Sequence, residues 1–246
     1  MNSINTNYQP KFKNFILNIK QHFKNGENSI HKARNEIKVI NCNNQNVVVK
    51  SFKIPHLLNK VIYTFFRISK AKKSYDYSIK IAKFVPKAIG YIEFKKFGLI
   101  HSSYFVSEHF NYDFTIREPL LDESFEEKEK VLKRFAQFTY ELHEEGILHL
   151  DYSPGNILIK KENDNYIFKI VDINRMQFKT LTLDERLKNF SMLWAKDKDM
   201  EIIAKEYARI TSEDSAYCIG KAIHYSQKLK NFKNMKKRLK GKKVVD

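Results

Sequence analysis

From His149 to Asn174 the chain reads HLDYSPGNILIKKENDNYIFKIVDIN, an alternation of polar groups and apolar runs that narrows the folds open to it. A His-x-Asp is followed by Asn156, five residues after Asp151. Then come the apolar run 157–159, the turn-forming Asn163-Asp164-Asn165, a second apolar run 166–171, and Asp172. Two such runs around such a turn predict a β-hairpin. Upstream, Val131, Leu132, Phe135, Phe138 and Leu142 recur at spacings of three and four, the period of a helix, and Gly146 is placed to end it. Helix, loop, hairpin and acid together deliver two carboxylates and an amide from one short stretch. That set suits phosphoryl transfer: Asp151 to orient and deprotonate an attacking hydroxyl, with the Asn156 amide oxygen and the Asp172 carboxylate to hold Mg2+ against the phosphates of ATP.

The loop matches the H-x-D-x-x-x-x-N pattern of the kinase superfamily. Within it, His-Leu-Asp-Tyr-Ser-Pro-Gly-Asn-Ile-Leu-Ile and Val-Asp-Ile-Asn-Arg-Met resemble the bacterial lipopolysaccharide kinases that phosphorylate Kdo or heptose sugars of the inner core. The likeness runs from about Gly26 to the basic C-terminal segment. It implies an α+β, bilobal protein-kinase-like fold with a small β-rich N-lobe and a minimal helical C-lobe. It also implies ATP and Mg2+ as cofactors and, as acceptor, a sugar hydroxyl of a lipopolysaccharide-core glycolipid, with Kdo favoured. On this resemblance Asp151 is the base, Asn156 and Asp172 are metal ligands, and His149 braces the loop rather than carrying protons. Where Asp-Phe-Gly is usual, the chain has Asp172-Ile173-Asn174, and the missing Gly argues against loop switching of the protein-kinase kind. No Ala-Pro-Glu follows, which argues against an ordinary peptide-phosphorylating kinase.

The segment before Asn111 is strand-rich. Ile37 and Val39 alternate with polar neighbours, Asn43-Asn44-Gln45-Asn46 supplies a turn, and Val47-Val48-Val49 ends in Lys50. Lys50 resembles the lysine of the kinase V-A-I-K strand, which contacts the α and β phosphates. It shares a strand face with Val48 and Phe52, and a lysine among apolar neighbours needs an anion to offset its desolvation; Lys53 is expected to face solvent. In place of a Gly-rich phosphate loop stand His31, Lys32, Arg34 and Asn35, able to reach phosphate through side chains and equally suited to a plain basic hairpin. Two helices are expected, over 57–66 and 69–84, the second turning Tyr75, Ile79 and Ala82 inward. On that second helix Asp76 is the candidate partner of Lys50, in competition with Lys72 and Lys80 at i−4 and i+4. Two further strands, 88–94 and 99–108, lead to Glu108-His109-Phe110, the expected hinge, whose backbone groups would pair with adenine.

Near each end lies an apolar stripe among basic residues. Phe12, Phe15, Ile16, Ile19 and Phe23 are interleaved with lysines, a stripe that would pack on the N-lobe or meet a membrane interface. From Lys228 onward, Leu229, Phe232, Met235 and Leu239 run through a cluster of Lys and Arg that suits an anionic bilayer. Between Asp172 and that segment three helices are expected, marked by Leu183, Leu187, Phe190 and Leu193; by Met200, Ile203, Tyr207 and Ile210; and by Ala216, Ile219 and Ile223, the last capped by Ser212 or Thr211. The expected domains are thus a basic amphipathic segment at 1–25, an N-lobe at 26–110, a C-lobe at 111–227 and a basic tail at 228–246.

A formal net charge of +17 over 246 residues makes the partner an anion. A phosphorylated glycolipid, an anionic membrane surface and nucleic acid all qualify, the last predicting steep salt dependence. Two cysteines without a C-x-x-C, no apolar leader and no apolar run near membrane length point to the cytoplasm. A monomer is expected, and the resemblance to the lipopolysaccharide kinases implies at most a peripheral place on the cytoplasmic face of the inner membrane. Alternatives are another small-molecule kinase, an RNA-associated atypical kinase, and a non-catalytic kinase-shaped scaffold.

Overall fold

The computed structural model describes residues 2–26, 29–32, 35–52 and 68–241, with the backbone alone for 30–32. The chain divides into two compact units, Met1–Asn111 and Tyr112–Asp246.

The first unit is built on a six-stranded antiparallel sheet. Its strands are β1 (Asn2–Ile4), β2 (Ser29–Lys32), β3 (Asn35–Cys42), β4 (Gln45–Phe52), β5 (Ala88–Lys96) and β6 (Leu99–Glu108), in the order β1-β5-β6-β4-β3-β2. Asn43 and Asn44, at φ of 51° and 59°, make a two-residue turn between β3 and β4. Asparagine tolerates the left-handed region, so the turn is tighter than the four-residue stretch suggested.

Side-chain alternation gives the sheet two different faces. On one, Val47, Val49, Ile89, Ile92, Tyr104 and Val106 meet Phe12, Phe15 and Ile16 of α1 (Gln9–Leu17) and Ile19 and Phe23 of α2 (Ile19–Asn25). The N-terminal stripe is therefore core. Lys38 of β3 secures the end of α2 by donating to Phe23 O at 2.9 Å and Gly26 O at 2.8 Å, a cation on the helix's negative end. On the other face, Phe52 and Tyr91 pack with Ala71 of α3 (Lys70–Lys80), which starts at Ser69, whose hydroxyl accepts from Lys72 N at 3.1 Å.

The inward side of α3 departs from expectation. Ala71, Ser74 and Ser78 are buried, Tyr75 is partly buried against Tyr91, and Ile79 and Ala82 are exposed. Small side chains let the helix lie close to the sheet, which outweighs burial of the larger Ile79. The helix expected over 57–66 and Lys53 lie outside the described residues.

The second unit carries β7 (Phe114–Thr115), α4 (Arg117–Leu121), α5 (Lys128–Glu144), β8 (Ile147–His149), β9 (Ile157–Glu162), β10 (Asn165–Ile170), β11 (Met176–Phe178), α6 (Leu183–Asn189), α7 (Asp197–Thr211) and α8 (Ser215–Arg238). β10-β9-β7 and β11-β8 form two small antiparallel sheets. Val131, Leu132, Phe135 and Leu142 of α5 are buried, and Gly146 follows at φ +67°. A Cβ there would come within 2.8 Å of Lys179 O. At the last helix the cap is Asp214, accepting from Tyr217 N at 2.7 Å, and not Thr211 or Ser212; Ser212 instead ends α7 at φ +57°. The buried face of α8 is Cys218, Ala222 and Ser226, one step away from the expected Ala216, Ile219 and Ile223, of which Ala216 is exposed. The basic segment from Lys228 continues α8 to Arg238. Both cysteines are free, and among the described residues no helix is long and apolar enough to cross a membrane.

Phe12 is fully buried between α1 and the sheet. Phe12→Ala should destabilise the first unit by roughly 3–5 kcal/mol, read as a lower urea midpoint; an unchanged midpoint would mean the stripe does not pack there.

Candidate active site

The loop from His149 to Asn156 is placed by the strands at its ends. His149 closes β8, whose partner β11 pairs Met176 with His149; Asn156 precedes β9, whose partner β10 pairs Ile170 with Ile157. Asp172 lies in the turn between those two partners, β10 and β11. Both ends of that turn are thus tied to both ends of the loop. Val171 N donates to Asn156 O at 2.9 Å, and Leu150 N donates to Arg175 O at 2.8 Å. Asp172 itself sits at φ +55°, a left-handed conformation that reverses the chain, and Asn174 Nδ2 donates to its Oδ1 at 2.6 Å. Asn174 thus takes up the carboxylate where a glycine would offer only freedom.

His149 is the keystone of this backbone arrangement. Its Nδ1 accepts from Asp151 N at 3.0 Å and its Nε2 lies 3.0 Å from Val171 O. With Nδ1 accepting, the proton belongs on Nε2 and is donated to the carbonyl. Both ring nitrogens are occupied and the residue is 1% exposed, so the imidazole braces the loop. Burial holds its pKa below the usual histidine range.

Asn156 Nδ2 donates to Asp151 O at 2.9 Å. This fixes the amide so that its oxygen is the atom left for a ligand. An amide oxygen and a carboxylate are hard donors of the kind Mg2+ takes, the rest of its shell coming from water and phosphate oxygens. Among the described residues no three His, Cys, Asp or Glu side chains form a metal cage, and Mg2+ held against phosphates does not require one.

The other expected residues lie in the first unit. Lys50 is partly buried on β4, opposite Ile37 and Phe105, with Nζ 5.5 Å from the centroid of the Phe52 ring on the α3 side of the sheet. Asp76 pairs with Lys72 at 2.7 Å, its neighbour one turn back. That bond raises the Lys72 pKa. Glu108 Oε1 accepts from Tyr8 Oη at 2.6 Å and Gln45 Nε2 at 3.0 Å, and Glu108 N donates to Lys87 O at 2.9 Å. Asn35 opens β3 opposite Phe52. His31 and Lys32 are placed by backbone on β2 opposite Ile37 and Glu36; their side chains, and Arg34 altogether, lie outside the described residues.

A second tier behind the loop escaped sequence reasoning. Asn189, at the end of α6, donates from Nδ2 to His149 O at 3.0 Å, and its Oδ1 lies 3.3 Å from His143 Nε2. His143 Nδ1 in turn lies 2.9 Å from Tyr207 Oη. The run Tyr207, His143, Asn189, His149 is buried throughout and connects α7 and α5 to the loop. Its members are 40 or more residues apart or face one another across helices, so no local spacing announces them.

Residues 84–213, just over half of the chain, match the family model described as "Lipopolysaccharide kinase (Kdo/WaaP) family". A solved structure, "WaaP in complex with acyl carrier protein", is similar with a TM-score of 0.58 and 12% sequence identity, over 93% of this chain and 99% of that one. At that identity the likeness carries the fold, which is α+β and kinase-like. No curated protein sequence matches the chain.

Desolvation by burial, aided by the nearby Arg186 charge and opposed by the Asn189 hydrogen bond, pushes the His143 pKa down from 6.5 to about 4. Folded His143 refuses the proton that the unfolded chain accepts. Its contribution to stability is therefore complete above about pH 6.5 and is lost as pH falls toward 4. Between pH 7 and 5 wild type should lose roughly 2 kcal/mol more than His143→Gln, measured by urea unfolding at both pH values. Equal losses would reject the assignment.

Proposed function

The chain belongs to the lipopolysaccharide kinase (Kdo/WaaP) family, and on that footing we propose that it transfers the γ-phosphoryl group of ATP to a sugar hydroxyl of a lipopolysaccharide-core glycolipid, with Kdo the favoured sugar. The observation that carries this reading is the knitting of Asp151, Asn156 and Asp172 into one backbone network through His149.

In the proposed reaction Asp151 takes the proton of the acceptor hydroxyl. The freed oxygen bonds to the γ-phosphorus as the bond to ADP's leaving oxygen breaks. Asn156 and Asp172 would hold Mg2+, which supplies positive charge to the phosphate oxygens. Lys50 would bind the α and β phosphates through charge-assisted hydrogen bonds from its partly buried ammonium. Asp76 is less suited to hold Lys50 while it is engaged by Lys72, and the hinge contact with adenine would fall to backbone groups near Glu108.

The acceptor's lipid anchor calls for a membrane-facing surface, and the end of α8 fits one. Phe232, Met235 and Leu239 are exposed at successive turns, flanked by Lys228, Lys236, Arg238 and Lys240, with no acid between Lys228 and Lys240. Lys230 Nζ and buried Ser226 anchor the opposite side of the helix, the former on Ala195 O at 2.6 Å. Acyl carrier protein, present in the similar WaaP structure, is the protein partner this reading carries over.

Asp151→Ala should fold normally and lose roughly 10²- to 10⁴-fold in turnover, assayed with labelled ATP, Mg2+ and separate acceptors: Kdo-lipid A, an aminoglycoside and a generic protein. Label confined to the aminoglycoside or the protein would replace the glycolipid reading. Phe232→Glu combined with Leu239→Glu should abolish flotation with anionic vesicles while leaving the urea midpoint unchanged; equal flotation of wild type with zwitterionic vesicles would count against an electrostatic contact.

A further inference from the structure

Between His149 and Asn156 the loop contains one acid and no Lys or Arg. A carboxylate base beside phosphate groups repels them unless a cation intervenes. The second unit brings one from outside the loop. A Cβ on Gly155 would lie 2.8 Å from Arg117 Nη2 and 3.4 Å from its Cζ, so the guanidinium rests on the one loop position that has no side chain. Gly155 is bonded to Asn156, and Asn156 in turn is hydrogen-bonded to Asp151.

The root of Arg117 is held firmly. Ile116, fully buried, donates from its amide to Ile157 O at 3.1 Å, and Leu120 is buried one turn on. The nearest acids in sequence are committed elsewhere. Glu118 Oε2 accepts from Thr115 N at 2.9 Å and Thr115 Oγ1 at 2.6 Å, and Asp113 Oδ2 accepts from Lys161 N at 2.8 Å. Among the described residues no carboxylate forms an ion pair with Arg117, whose side chain is exposed to solvent. A planar fork of donors, fixed at its base and without an acid of its own, suits an incoming oxyanion.

We propose that Arg117, laid against Gly155, forms an oxyanion subsite beside Asp151 and Asn156, taking a phosphate or carboxylate group of the nucleotide or of the acceptor. The assignment rests on the phosphotransfer reading above. It makes Gly155 a positioning residue, since any larger side chain displaces the guanidinium.

Calorimetry on the intact chain, with tripolyphosphate and free Kdo as separate probes, tests this. Arg117→Ala should weaken one of them at least tenfold: tripolyphosphate if the subsite serves the nucleotide, the sugar acid if it serves the acceptor. Arg117→Lys should recover only part, because an ammonium lacks the fork. Gly155→Ala, whose new methyl meets only the mobile end of Arg117, should keep the urea midpoint and lose affinity in step with Arg117→Ala. Arg134→Ala, which removes the same charge from an exposed site on α5, should bind both probes like wild type. Unchanged affinity of Arg117→Ala for both, an equal loss in Arg134→Ala, or no binding of either probe by wild type overturns the subsite. Turnover of Asp151→Ala separates the two ideas: its survival sinks the phosphotransfer reading, whereas its loss together with normal binding by Arg117→Ala sinks the subsite alone.

Discussion

One neutral imidazole, accepting from the backbone on one side and donating to it on the other, holds the candidate site together. His149 joins the amide of Asp151 to the carbonyl of Val171, and so ties the residue that opens the loop to the residue that precedes Asp172. A protonated ring could not accept from Asp151 N, and a ring with the other tautomer could not donate to Val171 O. The arrangement needs one protonation state and one orientation. Burial supplies the first by disfavouring charge, and Asn189 supports the second by taking the carbonyl of His149 itself. The second tier through His143 and Tyr207 extends the same logic: each polar group is buried, and each spends its hydrogen bonds on the next.

In the first unit, covering both faces of the sheet constrains what Lys50 can meet. Val47 and Val49 point into the aromatic layer formed by α1 and α2, which leaves the intervening positions, Val48 and Lys50, on the side of α3. The lysine therefore emerges among Phe52, Phe105 and Tyr91 rather than in open water. Such surroundings favour a cation that finds an anion and tax one that does not.

Much of this was legible in the residues, for definable reasons. The 3.6-residue period of α5 and the paired runs on either side of Asn163 and Asp164 are local signals, and they located the helix and hairpin that frame the loop. Strands β8 and β11 have three residues each, too few to show an alternation, although they place His149 and the Asp172 turn. On α3 and α8 the hydrophobic pattern pointed one step away from the true buried side, because Ser74, Ser78, Ala222 and Ser226 are buried for close packing and not for apolar area. Asn189 and Arg117 were missed for a different reason. Each acts on a loop residue far away in sequence, through a contact that only the tertiary fold creates.

The excess of cations sharpens the question of why Asp151 has none. Glu123 is met by Lys128, Lys196 and Lys198, Glu127 by Lys130 and Lys161, Glu129 by Lys133, and Glu206 by Arg209. Among the described residues no lysine or arginine forms an ion pair with Asp151, even though Arg117 reaches Gly155 in the same loop. A guanidinium bound directly to that carboxylate would occupy the oxygen that a hydroxyl proton must reach. Held on Gly155 instead, it stays close enough to attract an anionic group without neutralising the base, and the spacing is set by the absence of a side chain. The strands at either end of the loop hold Asp151 in that position, with Arg117 on Gly155 and no lysine or arginine of the described residues on the carboxylate itself.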